Sequence, residues 1–230
     1  MNFESLVLAV STASLDDEPA ARAHADAIEF RLDRADEPLA ELDAYDGSLP
    51  ILATNRAAWE GGAATSNETA RIETLAAATA REAVHAVDVE LAAIRAGDAD
   101  RVLDAARDRD VAVVVSIHDF RGTPRRRTLE ALLAEASRHG DVAKLAVTAT
   151  DRTDTLTLLE ATHDATTAGR TVATMAMGSI GSHTRVVAPI YGSHIAYAPL
   201  DPDARTAPGQ LDLATLSNAL DAVGLDRSRR

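Results

Sequence analysis

The chain has 230 residues, a mass of 24.2 kDa and a formal net charge of −13, from 36 acidic against 23 basic residues. This charge argues against a nucleic-acid binder, which needs a basic surface to displace counterions from phosphates, and it disfavours binding to acidic membranes. Cysteine is absent, which excludes disulfides, thiolate nucleophiles and cysteine-based metal sites.

Apolar runs alternate with charged, alanine-rich segments along the chain. The apolar runs predict eight strands, at 6–11, 27–33, 50–56, 86–91, 111–118, 142–148, 171–178 and 194–198. The other segments predict helices at 19–26, 37–44, 67–83, 99–109, 129–138, 153–166, 180–187 and 210–223. Such a chain forms a doubly wound sheet or a closed barrel, and eight repeats favour an α/β fold, a (β/α)8 TIM barrel, as a single domain over residues 1–230.

The composition also predicts where the protein works. The chain enters its first apolar run without a basic leader, and no run reaches the roughly 18 apolar residues of a membrane span. We therefore expect a soluble, cytoplasmic protein. Abundant aspartate with a single lysine is typical of salt-loving archaea, whose high internal salt screens the repulsion between acidic groups, so we expect a halophilic protein.

The single lysine, Lys144, lies inside the apolar run 142–147. An amine can lose its proton and attack a carbonyl carbon to form a Schiff base, whereas a guanidinium stays charged throughout the working pH range. The alternative is a strand-end lysine whose ammonium reaches solvent. In a chain whose other basic residues are all arginines, we favour the nucleophile.

In a (β/α)8 barrel, catalytic groups lie at the C-terminal ends of the strands. Polar or otherwise unusual residues occur in or just after at least six of the predicted strands, where ionisable groups are unfavourable unless paired. They are Ser11, Glu29, Arg31, Asp33, Arg56, Glu60, His118, Asp119, Lys144, Met175, Met177, Arg185 and Gln210.

Three of these residues alternate along the second strand, so Glu29, Arg31 and Asp33 should share one face, as a ladder into the lumen or as a structural ion network. His118 ends an apolar strand, which suits a general acid or base. We expect the cations Arg31, Arg56 and His118 to surround Lys144 and to depress the pKa of its amine.

A glycine-rich turn at 178–182 precedes Arg185. The turn could hold a phosphate, although it lacks the lysine and the spacing of a P-loop. The arginine suggests a bidentate clamp for a carboxylate. No metal is expected, because no HExxH or His-x-His spacing occurs and the acids are matched by arginines.

The order of these motifs resembles the type I 3-dehydroquinate dehydratases of the shikimate pathway. The resemblance covers nearly the whole chain, and the motifs are individually short but specific in combination. They are Glu29-Phe-Arg31-Leu-Asp33, Thr54-Asn-Arg56, Trp59-Glu-Gly-Gly62, Ser116-Ile-His-Asp-Phe120, Lys144, Met175-Ala-Met-Gly178, Arg185 and Ala207-Pro-Gly-Gln210.

The resemblance implies a (β/α)8 homodimer that dehydrates 3-dehydroquinate to 3-dehydroshikimate without a metal or cofactor. It implies that Lys144 forms an imine with the substrate ketone and that His118 transfers the protons, with Glu60 beside it. Arg185 would bind the substrate carboxylate. The remaining implied substrate-binding residues are Ser11, Glu29, Arg31, Arg56, Met175, Met177, Thr206, Ala207 and Gln210.

One departure from the family pattern concerns Asn55, which replaces an aromatic residue and should point away from the lumen without affecting Arg56. Two other functions remain open. A class I Schiff-base aldolase acting on a phosphorylated sugar would use Lys144 in the same way and hold phosphate at 178–182. A non-catalytic barrel that senses a small carboxylate would not need the amine at all.

Overall fold

The computed structural model describes residues 1–64, 67–201, 209–225 and 227. Its eight strands run parallel in one sheet, each beside its neighbour in the chain from β1 to β7, with β8 next to β1. The strands are β1 (Val7–Thr12), β2 (Ala27–Arg31), β3 (Ile51–Thr54), β4 (Val84–Glu90), β5 (Ala112–Asp119), β6 (Val142–Thr148), β7 (Val172–Met177) and β8 (Ile195–Pro199).

Helices connect the strands and cover the outside of the sheet. They are α1 (Glu18–Ala21), α2 (Pro38–Ala44), α3 (Glu68–Ala78), α4 (Leu91–Ala96), α5 (Asp100–Asp108), α6 (Arg126–Ala136), α7 (Arg152–Thr167), α8 (Thr184–Ile190) and α9 (Leu213–Ala222). Each predicted helix is present, most of them shorter or shifted, and α4 was not predicted. Across the described ranges, no helix combines the length and the apolar character needed to cross a bilayer.

The sheet closes between β7 and β8 by a short contact. Val172 and Ser193 form a parallel bridge, and the His194 amide donates to the Val172 carbonyl at 2.7 Å. The Ser193 hydroxyl accepts from the Thr174 amide at 2.9 Å, in the place of a main-chain partner. The result is a nearly closed (β/α)8 barrel, which confirms the predicted fold.

The alternation of side chains along each strand divides the barrel interior into two halves. Towards the N-terminal end the lumen is filled by apolar side chains, among them Val7, Ala27, Leu52, Val114 and Ile195. Towards the C-terminal end the same faces of the strands carry charged and polar side chains, and these are buried as well. The apolar half therefore forms the floor on which a polar site is built.

Candidate active site

A cavity of about 580 Å³, counted with its open mouth, lies at the C-terminal end of the barrel. Residues of β2, β5, β6, β7 and β8 line it, together with residues of the loops after β3, β5 and β8 and of the start of α8. Ten predicted residues are among its walls: Glu29, Arg31, Arg56, Glu60, His118, Lys144, Met175, Met177, Arg185 and Gln210. Gly61, Phe120, Ala146 and Tyr197 complete the lining.

Three predicted site residues are not among these walls. Ser11 is buried on β1 beside Glu29 of β2, its partner in the sheet register, and does not line the cavity. Thr206 and Ala207 lie outside the described residues.

Lys144 projects from the middle of β6 into the lumen, where it faces acids rather than cations. Its Nζ lies 2.9 Å from Asp88 Oδ2 and 3.3 Å from Glu29 Oε1, and 4.0 Å from the centroid of the Tyr197 ring. Burial alone would lower the pKa of the amine, but the charges of Asp88 and Glu29 outweigh burial and raise it. The prediction of a depressed lysine pKa was therefore wrong.

The cations expected around Lys144 are paired with acids of their own. Arg31 contacts Asp33 through Nε at 2.9 Å and Nη2 at 2.7 Å, so these two residues of β2 and the turn after it form an ion pair with each other. Arg56 contacts Asp88 at 2.7 Å and Glu90 at 2.9 Å. Because both guanidiniums are neutralised by carboxylates, they cannot drive the proton off the amine.

The half-buried His118 and the buried Glu60 form a pair in the wall of the cavity. His118 Nδ1 lies 2.8 Å from Glu60 Oε1, which leaves the imidazole Nε2 for a substrate. Burial, with the charges of Arg56 and Lys144, lowers the pKa of His118 well below its ordinary value. Burial also raises the pKa of Glu60 to about 8, although Arg56 at 3.9 Å opposes that shift.

Glu29 and Asp88 behave in the opposite way to Glu60. Burial would raise the pKa of each carboxyl, but the cations beside them hold both values below the ordinary range. For Glu29 these cations are Lys144 and Arg31, and for Asp88 they are Arg56 and Lys144. The cavity thus holds two ionised carboxylates against the amine and a third, more basic carboxyl against the imidazole.

Arg185, at the start of α8, lines the cavity and is available to bind an anionic ligand. Its guanidinium is buried, and no carboxylate of the described residues lies within ion-pair distance of it, while its Nε has no hydrogen-bond partner among them. Burial without compensation lowers the pKa of Arg185 to about 10. Such a group favours a bound anion, and a bidentate carboxylate fits its planar fork.

Several lumen residues were not predicted from the sequence, and Asp88, Glu90 and Tyr197 matter most among them. Asp88 and Glu90 alternate along β4 just as Glu29 and Arg31 alternate along β2, and this pattern was available as a signal. The Tyr197 ring had no such signal, since a tyrosine within an apolar strand is ordinary core composition. Ser116, which begins one of the motifs but was given no role, donates to Asp88 at 2.6 Å and accepts from Arg56 at 2.6 Å.

Comparison with known proteins agrees with this geometry. A model of the type I 3-dehydroquinase family matches residues 5–227. The 3-dehydroquinate dehydratase of Haloarcula marismortui is 56% identical over 219 residues, which cover 94% of this chain and 95% of that protein. The enzyme of the same name from Halobacterium salinarum is 51% identical over 219 residues, covering 94% and 96%.

Two crystal structures are similar over the whole barrel. The 3-dehydroquinate dehydratase of Geobacillus kaustophilus gives a TM-score of 0.85 at 30% identity, covering 96% of this chain and 91% of that one. The type I enzyme of Clostridium difficile, determined with covalently modified comenic acid, gives 0.83 at 27% identity, covering 95% and 92%. On the match of sequence, fold and motif order, the chain belongs to the type I 3-dehydroquinase family.

Proposed function

We propose how this chain carries out the reaction of its family, the Schiff-base-mediated elimination of water from 3-dehydroquinate to give 3-dehydroshikimate. Lys144 is the nucleophile, His118 the general acid and base, and Arg185 the anchor of the substrate carboxylate. The observation that carries the proposal is the placement of a buried amine, a half-buried imidazole and a buried, uncompensated guanidinium around one cavity.

Imine formation begins from an ion pair. The Lys144 ammonium must lose one proton before it attacks the ketone, and the Asp88 carboxylate at 2.9 Å can accept it. The amine then adds to the carbonyl carbon, and the hydroxyl of the resulting carbinolamine takes the proton held by Asp88 and leaves as water, so that a protonated imine remains. Asp88 and Glu29 raise the pKa of Lys144 because they stabilise its ammonium. The same two carboxylates stabilise the positive charge of the iminium once it has formed.

Elimination then needs a base beside the iminium, which draws electrons and acidifies the neighbouring C–H. The neutral His118 can take that proton through Nε2, because Glu60 holds the other ring nitrogen. The resulting imidazolium gives the proton to the departing hydroxyl, which leaves as water. Hydrolysis of the product imine returns Lys144 to its ammonium form.

The remaining lining residues hold the substrate. Glu29, Arg31, Arg56 and Gln210 present hydrogen-bonding groups for the hydroxyls, and Thr206 and Ala207 of the predicted site would act beside Gln210. Ser11 would act from β1, next to Glu29. Met175 and Met177 form the apolar wall on β7. No metal or cofactor takes part in these steps.

The geometry disfavours the aldolase alternative. A phosphorylated sugar would need the turn at 178–182 to face the ligand, but the cavity is lined by Arg185 and by none of the residues of that turn. Arg185 alone is better suited to a carboxylate, whose two oxygens match the guanidinium fork. The family assignment points the same way.

We extend the proposal to the state of the protein in the cell. We propose a cytoplasmic homodimer in which residues 1–230 form a single barrel domain, since the family resemblance implies a dimer. We also propose that the protein loses stability as salt is withdrawn, because its net charge is −13 and similar relatives come from Haloarcula and Halobacterium.

The test of the mechanism uses the single lysine. We expect 3-dehydroquinate and borohydride in high salt to leave a covalent, reduced adduct on the peptide that contains Lys144, with loss of activity. The α-amino group of Met1 is the other amine of the chain, and peptide mapping separates the two.

Lys144→Arg is the matched variant, because it keeps the positive charge but cannot form an imine. Turnover that survives Lys144→Arg would contradict the proposal. For His118→Ala we expect the imine to form and to be trapped, with elimination stalled. The absence of any trapped imine in that variant would show that the roles of Lys144 and His118 are divided differently.

A further inference from the structure

A buried arginine outside the barrel extends the charge network of the site. Arg71 lies on α3, its side chain is 1% exposed, and it is the bulkiest fully buried side chain among the described residues. A charged side chain is rarely buried to this degree unless partners compensate it. Arg71 takes part in none of the proposed reaction steps, so the burial of its charge must be explained by its contacts.

Arg71 contacts two residues that position Arg56: Glu90, which forms an ion pair with Arg56, and Asn55, which precedes it in the chain. Its Nη1 lies 2.9 Å from Glu90 Oε2 and donates to the Asn55 carbonyl at 2.6 Å. The Asn55 side chain donates back to the Arg71 carbonyl at 3.0 Å, so it points away from the lumen as predicted. On the other side, Arg71 Nε donates to Glu68 at 3.0 Å.

Glu90 links Arg71 to the active site. One of its oxygens, Oε1, accepts from Arg56 Nη1 at 2.9 Å and from the Ala57 amide at 3.1 Å, while Oε2 faces Arg71. The carboxylate is therefore fixed between two guanidiniums. From the lumen outwards, the charged side chains alternate in sign: Lys144, Asp88, Arg56, Glu90, Arg71 and Glu68.

We propose that Arg71 is a positioning residue for the reaction. It fixes the Glu90 carboxylate and the backbone of Asn55, and these two groups determine the position of the Arg56 guanidinium. The position of Arg56 in turn sets the strength of its ion pairs with Asp88 and Glu60. This proposal rests on the proposed function, because it assigns Arg71 a role in the same site.

Loss of Arg71 should also change the proton affinity of Glu60. The groups that face Glu60 are Arg56 just after β3, Asp88 and Glu90 on β4, and His118 on β5. Without Arg71, the Glu90 charge is less compensated and Glu60 holds its proton more tightly. His118 can act as a base only while Glu60 is a carboxylate, so activity should appear at higher pH.

The test compares Arg71→Met with Arg71→Lys, which restores the charge, and with Arg227→Met. Arg227 is a matched control, because its side chain is also 1% exposed and lies 2.9 Å from Asp221, and it does not line the cavity. The measurements are the melting temperature in high salt, kcat and KM for 3-dehydroquinate, and kcat/KM as a function of pH.

For Arg71→Met we expect kcat/KM to fall about 100-fold, mainly through kcat, as for a small displacement of a catalytic group. The midpoint of the acidic limb of the pH profile should move to higher pH by about one unit. The kcat/KM of Arg71→Lys should be about tenfold higher than that of Arg71→Met. Arg227→Met should lower the melting temperature but leave kcat/KM and the limb unchanged.

Wild-type kcat/KM and an unmoved limb in folded Arg71→Met would overturn the proposal, as would equal changes in Arg227→Met. If Arg71→Met does not fold, Glu68→Gln removes the outer anchor of Arg71; it should lower kcat/KM about threefold, and no change would overturn the proposal. Wild-type protein that forms no adduct at Lys144 would instead contradict the proposed function.

Discussion

Two arginines of this molecule each contact three carboxylates, and they differ mainly in burial. Arg56 contacts Asp88, Glu90 and Glu60 inside the barrel, with its side chain 5% exposed. Arg126 contacts Glu130, Glu160 and Asp164 on the surface of α6 and α7, with its side chain 46% exposed. The chemical groups are the same in both clusters, whereas the solvent around them is not.

The difference in solvent decides what each cluster can do. Water and salt screen the charges around Arg126, so each contact there contributes little and can be lost without leaving an unsolvated charge. Around Arg56, every charge depends on its neighbours, and removal of one leaves another buried and unpaired. Only the buried cluster can therefore hold Lys144 and Glu60 at pKa values far from ordinary.

The largest effect is expected for Asp88→Asn. Asp88 compensates both Arg56 and Lys144 and is the proposed acceptor of the lysine proton. Its loss should cost about 3–5 kcal/mol of the free energy of unfolding and lower kcat/KM by about 100- to 1,000-fold. Denaturant titration and steady-state kinetics in high salt measure the two effects.

Asp164→Asn is the matched control for Asp88→Asn, because Asp164 makes the corresponding contact with Arg126 on the surface. It should change the free energy of unfolding by less than about 1 kcal/mol and leave kcat/KM alone. Similar losses in both variants would mean that burial does not separate the two clusters.

The next effect concerns a buried arginine without an acid partner among the described residues. Arg185→Met should lower kcat/KM by about 10- to 100-fold, mainly through a higher KM, because a charged hydrogen-bond partner of the substrate carboxylate is lost. The melting temperature should stay the same or rise, since an uncompensated buried cation is removed. A clear drop in melting temperature would show that Arg185 has a structural partner.

A smaller effect is expected in the pH dependence of stability at Glu60. The pKa of Glu60 is about 8 in the folded protein, against an ordinary value of 4.5. A raised folded-state pKa stabilises the fold below pH 4.5, and this stabilisation is lost as the pH rises towards 8. The difference in free energy of unfolding between wild type and Glu60→Gln should therefore fall across that window, and urea titrations at several pH values measure it. A flat difference would mean that folding does not shift the pKa of Glu60, and a rising difference would mean that folding lowers it.

The buried cluster also shows how far the sequence leads. The (β/α)8 fold and the ten predicted residues that line the cavity follow from local patterns, because alternation and position in a strand decide which side chains meet in the lumen. The six-residue helix α4 was missed because it begins directly after β4, with no turn residues between them.

Pairing between distant residues could not be obtained in this way. The direction of the Lys144 pKa shift depends on Asp88, which lies 56 positions away in the chain, and on Glu29, which lies 115 positions away. Counting the nearby arginines gave the wrong sign because the arginines were already paired with acids. Which of the 23 basic residues is buried depends on packing that local patterns do not contain.

The smallest effect is expected at the surface. Arg126→Met removes a cation that contacts three acids, yet at molar salt it should leave the free energy of unfolding nearly unchanged. In dilute buffer the cost should grow, because the exposed acids then repel each other without screening, within a chain whose net charge is already −13. Asp88→Asn should show no such dependence on salt, since its partners are shielded from solvent. Melting curves of both variants from molar salt down to dilute buffer make the comparison, and an equal salt dependence would mean that solvent reaches the buried cluster as readily as the exposed one.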